Sequence, residues 1–244
     1  RISFKQGYIL DFMNSIIANL KEINSQITEA AHRVQRDPQE IKIVAVTKTV
    51  EVERIQEAIK AGIKFIGENR VQEAEQKYYH LKDQQVSWHL VGHLQTNKVK
   101  KAVKIFELIH SVDSERLAIE IDKRAREINK VQAVLIQVNT SGESSKYGLS
   151  PSEVINFISQ ISLLKNIEIK GLMTIGLLTD DLEKVRPCFR LLSELYQEIN
   201  QKAITSQPLV YLSMGMSDDY QIAIEEGANL LRIGRAIFGE RKNS

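Results

Sequence analysis

The sequence predicts an α/β fold, a single-domain (β/α)8 TIM barrel with an extra N-terminal helix. Three observations predict it. Eight short apolar segments recur, at about 41–46, 63–67, 86–91, 105–111, 131–138, 167–173, 208–212 and 229–233. Amphipathic helical stripes fill most of the gaps between them. No hairpin signal joins neighbouring segments, which leaves parallel pairing. The alternative is an open doubly wound sheet, but no G-x-G-x-x-G follows the first strand.

The elements follow in order. Residues 1–12 lack periodicity and read as an N-terminal tail, so the barrel domain is assigned to 13–244. Over 13–35, Ile16, Leu20, Ile23, Ile27, Ala30 and Val34 repeat at helical spacing, and Pro38 follows. The first strand, IKIVAV over 41–46, has five aliphatic residues in six, as suits a strand buried on both faces. Val52, Ile55, Ala58 and Ile59 form one helical stripe, and Leu117, Ile121, Ala125 and Ile128 another. Ser150-Pro151-Ser152-Glu153 is a capping box with proline at the first helical position, ahead of Val154, Phe157, Ile158 and Ile161. The longest stripe runs Leu182, Val185, Phe189, Leu192, Tyr196, Ile199. After the eighth strand about ten residues remain, too few for a full closing helix. The N-terminal helix is expected to cover that seam.

Composition narrows the function. The net charge of +2 gives no electrostatic footprint for nucleic acid or an anionic membrane, and no apolar run approaches the ~20 residues a bilayer span needs. One cysteine, Cys188, excludes an internal disulfide and a thiolate cluster, which fits a cytoplasmic protein. His89 and His93 are the only close histidine pair. With His89 in a strand they do not share a helix face, so packing in the core or at the rim is expected rather than metal binding. Lys98, Lys100, Lys101 and Lys104 have no stacking aromatics among them and read as a solvated helix face.

In a barrel the carboxyl ends of the strands converge on one mouth, where active sites are built. Lys48 lies just past the first strand. A partly desolvated lysine there is an amine nucleophile toward aldehydes. The segments after strands seven and eight, where this fold often binds phosphate, read Ser213-Met214-Gly215-Met216-Ser217-Asp218-Asp219 and Arg232-Ile233-Gly234-Arg235. Ser217 is expected to cap the helix that follows, two glycine turns allow close backbone approach, and the arginines supply charge. Asp218 and Asp219 must point away from any phosphate. Strands one and eight are neighbours in a closed barrel, so an amine on one side and a phosphate cradle on the other fit a flat phosphorylated aldehyde. Pyridoxal 5'-phosphate (PLP) has that shape. Arg232 facing its ring nitrogen would leave that nitrogen unprotonated and the ring a weak electron sink.

These motifs, with Val44–Lys48, Phe65–Asn69, Trp88-His89 through Gly92, Leu94–Lys98, Gly171–Met173 and Phe238-Gly239, occur in an order that resembles the pyridoxal phosphate homeostasis proteins, single-domain relatives of the alanine racemase barrel. The likeness runs from about residue 16 to 241. It implies that Lys48 holds PLP as a Schiff base and that Ser217, Gly234 and Arg235 hold its phosphate. It places Arg232 toward the ring nitrogen and Asn69, Met173 and Ser213 nearby. Many relatives carry threonine or serine where this chain has Arg235, so the backbone is the expected contact there. The implied function is vitamin B6 homeostasis by a monomeric carrier without a full catalytic apparatus. It would exchange PLP with PLP-dependent apoenzymes or answer to an unidentified regulatory protein.

An amino-acid racemase is the alternative. It needs a second base on the opposite face, for which Tyr147 and Tyr211 are the internal candidates, and a further domain for which no residues remain. An aldolase would draw on Asp113 and Lys146 instead. The segment from Ser141 to Gly148 reads as a mobile loop at the mouth that gates the cofactor or faces a partner. Replacing Lys146 is expected to change cofactor exchange more than stability. Exchange kinetics beside thermal melting check this, and equal exchange in variant and wild type would count against it.

Overall fold

The computed structural model describes residues 3–240, with side chains from residue 15 onward. Strands β1 (Lys42–Val46), β2 (Phe65–Glu68), β3 (Ser87–Leu90), β4 (Leu108–Val112), β5 (Gln132–Gln137), β6 (Ile167–Met173), β7 (Tyr211–Ser213) and β8 (Leu230–Ile233) form one closed parallel barrel in chain order. Each overlaps one of the eight apolar segments. The largest offsets, a start three residues late, are at β4 and β7, and that at β7 has a local cause. Pro208 has no N–H to give, and Leu209 is engaged by the helix before it: Asn200 Oδ1 accepts its N–H at 2.7 Å, and the Tyr196 hydroxyl donates to its carbonyl at 2.7 Å.

Around the barrel lie α1 (Ser3–Arg33), α2 (Val52–Lys60), α3 (Val71–Leu81), α4 (Val99–Ile105), α5 (Glu115–Arg126), α6 (Val154–Ile161), α7 (Arg186–Gln201), α8 (Tyr220–Glu225) and α9 (Arg235–Phe238). The capping box forms ahead of α6, with the Ser150 N–H donating to Glu153 Oε2 at 3.0 Å. Ile128 falls beyond the end of α5 and is exposed rather than part of its stripe. The expected boundary between a tail at 1–12 and the barrel at 13 falls inside α1, whose backbone is helical from Ser3; Arg1 and Ile2 lie outside the described residues.

Helix α1 fills the place that a full helix after β8 would take. It packs on α2, α8 and the one-turn α9. Ile16, Leu20, Ile23 and Ile27 are each at most 5 % exposed, a burial worth about 1.5–3 kcal/mol per side chain. Asn19 Nδ2 donates to the Ile237 carbonyl at 3.0 Å, and Arg36 Nη1 donates to the carbonyls of Ile224 and Ala228 at 2.8 and 2.9 Å. The seam is thus covered as expected.

Inside the barrel a small apolar cluster joins Val44, Val91, Leu108, Leu135, Met173 and Leu230, while a larger core fills the layer between sheet and helices. At Gly171 a Cβ would sit 1.8 Å from the Tyr211 carbonyl oxygen, so β6 and β7 approach backbone to backbone there. Gly171→Ala must push these strands apart. The expected cost is about 3 kcal/mol or more in denaturant unfolding; wild-type stability would show that the approach is not required.

Candidate functional site

The pairing of β1 with β8, from Lys42↔Leu230 to Ala45↔Ile233, brings the ends of both strands to one side of the mouth. Lys48 follows β1, half-buried, in a turn closed by the Val50 N–H donating to the Thr47 carbonyl at 3.0 Å. Gly234 follows β8, and a Cβ there would stand 3.1 Å from the Val46 carbonyl oxygen. Glycine at 234 therefore lets the β8 loop lie directly on the end of the lysine's strand.

The loop after β7 meets the same place. Gly215 has φ +89°, a left-handed conformation open to glycine, and a Cβ would strike the Ala223 Cβ at 2.6 Å. Ser217 does not cap α8, contrary to expectation. Asp219 is the N-cap residue of α8, and its carboxylate accepts the Met216 N–H at 2.6 Å to close the turn. Ser217 Oγ instead accepts the Ala236 N–H at 3.2 Å, which ties the β7 loop to the first turn of α9. The Arg235 side chain is engaged by Asp218 and by Glu240, leaving its backbone to face the loops. The Asp218 carboxylate is thus engaged by Arg235 and that of Asp219 by its own turn.

Arg232 is buried. Its Nη1 donates to Ser213 Oγ and its Nη2 to the Thr174 carbonyl, both at 2.7 Å. Burial lowers its pKa to about 10, partly offset by the Asp219 carboxylate, so it stays charged at neutral pH. From Ser213 a chain of contacts runs on across the interior: Ser213 Oγ to His110 Nδ1 at 3.0 Å, then His110 Nε2 to His89 Nδ1 at 3.1 Å. Sequence reading grouped His89 with His93. In the sheet His89 lies opposite Leu108, and its side chain reaches diagonally to His110, a partner concealed by 21 residues of separation, while His93 stacks on Tyr147 with centroids 3.9 Å apart. Alternation along neighbouring strands was the signal that could have shown it.

Met173, fully buried, belongs to the apolar cluster beneath these groups. Asn69 stands apart, on the wall of a cavity of about 720 Å³ that also takes in Arg70, Gln72, His93, Lys98 and Tyr147. That cavity includes neither Lys48 nor the loops after β7 and β8. The two racemase candidates are not at the amine: Tyr147 covers His93, and the Tyr211 hydroxyl, at the start of its strand, accepts from Lys42 Nζ at 3.3 Å near the opposite end of the barrel. Lys146 donates to the Gly176 carbonyl at 2.8 Å and pairs with Glu143, so the 141–148 loop is tied to the one after β6. Lys101 pairs with Glu75, Lys100 and Lys104 are exposed, and Lys98 joins the cavity wall. Among the described residues there is no group of three His, Cys, Asp or Glu that could hold a metal, and no helix is long and apolar enough to cross a membrane.

A lysine at the end of β1 facing glycine loops after β7 and β8, with a buried arginine beside them, defines a barrel of the alanine racemase class. Residues 18–242 match the family described as alanine racemase, N-terminal domain. The pyridoxal phosphate homeostasis protein of Aquifex aeolicus is 45% identical over 223 residues, covering 91% of this chain and 97% of that protein. That of Vibrio cholerae is 39% identical over 237 residues, covering 95% and 99%. PipY of Synechococcus elongatus, solved without PLP and with PLP bound, is 35% identical with TM-scores of 0.83 and 0.81, covering 92% of this chain and 100% of PipY. An alanine racemase of Clostridium difficile shares the fold at a TM-score of 0.74 and 15% identity, with this chain covering 61% of it. The chain belongs to the pyridoxal phosphate homeostasis protein family.

The buried imidazoles make stability depend on pH. Burial, with the Lys42 charge adding to it, lowers His89 from 6.5 to about 3. Burial lowers His110 well below 6.5, with the charges of His89 and Arg232 adding to it. Below about pH 6.5 the unfolded chain takes up protons that the folded chain refuses, so stability is full above that pH and declines as pH falls toward 3. The expected loss is about 1.4 kcal/mol per pH unit for each histidine. Unfolding curves from pH 7 to pH 4 measure it, and His89→Asn should flatten the slope by one histidine's share. An unchanged slope in that variant contradicts the assignment.

Proposed function

We propose that this chain is a PLP carrier. It holds the cofactor as a Schiff base on Lys48, serves intracellular vitamin B6 homeostasis and works as a monomer in the cytoplasm. The observation that carries this reading is the convergence of Lys48, Gly234 and Ser217 through the β1–β8 pairing. PLP supplies an aldehyde that condenses reversibly with a primary amine. The residues present fit it. Lys48 offers the amine at the end of β1. Ser217 Oγ, Gly234 and the backbone of Arg235 offer donors and room for a phosphate where two loops meet. Arg232, fixed by Ser213 and Thr174, has guanidinium donors left over for a ring nitrogen, and it cannot take that nitrogen's proton. Met173 floors the site, while Asn69 lines a cavity that does not include Lys48.

Carriage rather than turnover is supported by what surrounds the amine. Racemisation needs a second proton-transferring group across from the lysine. Tyr211 is engaged with Lys42 at the far end of the strands, and Tyr147 lies flat on His93. PLP-dependent apoenzymes, or a regulatory protein, are the partners that a carrier of this kind would serve.

The test is an absorbance spectrum of the purified protein beside Lys48→Ala, followed by borohydride reduction and peptide mapping. The expected outcome is a visible band in the wild type alone and a pyridoxyl group on Lys48. A band that survives in Lys48→Ala, or no uptake of PLP by the wild type, overturns the reading. Racemisation of common amino acids at enzymatic rates would overturn the carrier assignment while leaving the cofactor in place.

A further inference from the structure

Lys48 stands in a turn that its own sequence does not favour. Thr49 has φ +62°, a left-handed conformation that a β-branched residue avoids and that a turn closed from Thr47 to Val50 would ordinarily give to glycine. Such strain persists where surrounding groups over-determine it. Here those groups come from β2 and α3. Lys77 Nζ donates to the Thr47 carbonyl at 2.6 Å, to Glu68 Oε1 at 2.7 Å and to Glu73 Oε1 at 2.7 Å. Thr47 Oγ1 donates to Glu68 Oε1 at 2.6 Å, and the Thr49 N–H donates to Glu73 Oε1 at 2.5 Å. The residues on either side of Lys48 are therefore both gripped, one by the ammonium of Lys77 and the other by the carboxylate of Glu73, and these two grips are bonded to each other.

We infer that Glu73 and Lys77 are positioning residues for Lys48, holding the strained turn so that the amine is presented at one place above the end of β1. The inference rests on the reading of Lys48 as the cofactor's amine. Burial is also at work in the cluster. It pushes Glu68 up, against the pull of Lys77 and Thr47. Burial acts the same way on Glu73, but there the hydrogen bonds from Lys77 and the Thr49 N–H outweigh it and hold the carboxyl below its ordinary value. Glu73 thus stays ionised where it grips the turn. None of these groups needs to touch the cofactor. Their effect is to spare the lysine a search over backbone conformations before it meets an aldehyde.

Glu73→Ala removes the grip on Thr49 while leaving the buried pair of Lys77 and Glu68 in place. In the apo protein, the Thr49 amide should exchange its hydrogen faster while the amides of β1 keep wild-type protection. Mixed with PLP, this variant should form the Lys48-dependent visible band about tenfold more slowly, with a melting temperature within a few degrees of wild type. Adding Thr49→Gly, which relieves the left-handed strain at its source, should restore more than half of the lost rate. A purely structural role would lower the melting temperature without this rescue. Capture at the wild-type rate in Glu73→Ala, or no gain on adding Thr49→Gly, overturns the inference. Should Glu73→Ala not fold, Glu73→Gln takes its place with an expected slowing of about threefold, and a wild-type rate there overturns it equally. If the wild type forms no Lys48-dependent band, the carrier reading fails; a normal wild-type band with an unaffected variant sinks only the positioning role.

Discussion

The hydrogen bonds between the first and last strands are the constraint on which the rest depends. β1 is paired with β2 on one edge and with β8 on the other, so the amine-bearing turn is fixed from both sides. Neighbours in the cylinder are here far apart in the chain, and closure alone converts that separation into contact. Glycine at 234 completes the approach, because any side chain there would press on the Val46 carbonyl. An open sheet with the same eight strands would leave the lysine and the glycine loops on opposite edges.

The interior is built on a division of labour between apolar and polar layers. The cluster of Val44, Val91, Leu108, Leu135, Met173 and Leu230 excludes water, and above it Arg232 keeps its charge by donating to a hydroxyl and a carbonyl. A buried cation without such partners would be far too costly to retain. The two neutral imidazoles extend the same hydrogen-bonded path without adding charge. Beneath the lysine's turn the opposite solution appears, an ammonium shared between two carboxylates. The site is thus rigid on its two flanks by different means, neutral contacts around the arginine and ionic ones under the lysine.

Much of this was legible from the residues. Short apolar runs located the strands, and stripes of period 3.6 located the helices between them. Lys48, Gly234 and Arg232 were found because strand ends in a barrel share one mouth. Three things were not legible. The role of Ser217 depends on which of two loops its hydroxyl meets: local sequence favoured it as the cap of α8, but Asp219 holds that position and turns its carboxylate back to the Met216 N–H. His110 meets His89 diagonally across β3 and β4, two residues beyond its register partner Leu108, which no single segment encodes. The grip of Glu73 and Lys77 on the lysine's turn joins a helix to a loop 24 to 30 residues earlier, so neither residue type signals it alone.

Helix α1 carries a consequence for how the chain is assembled. Besides α2 its partners are α8 and α9, more than 180 residues downstream, through Arg33 to Glu225 and Asn19 to Ile237. Much of the apolar face of α1 thus stays unmatched during synthesis until the segment from α8 to α9 emerges, and the cylinder shuts only when β8, between those two helices, pairs with β1. Because that same strand brings Arg232 and Gly234 beside the end of β1, a nascent or prematurely ended polypeptide holds Lys48 without the loop that the closed barrel sets next to it. The mouth of the barrel therefore takes its full shape late and all at once, coupled to completion of the fold rather than accumulated along the way.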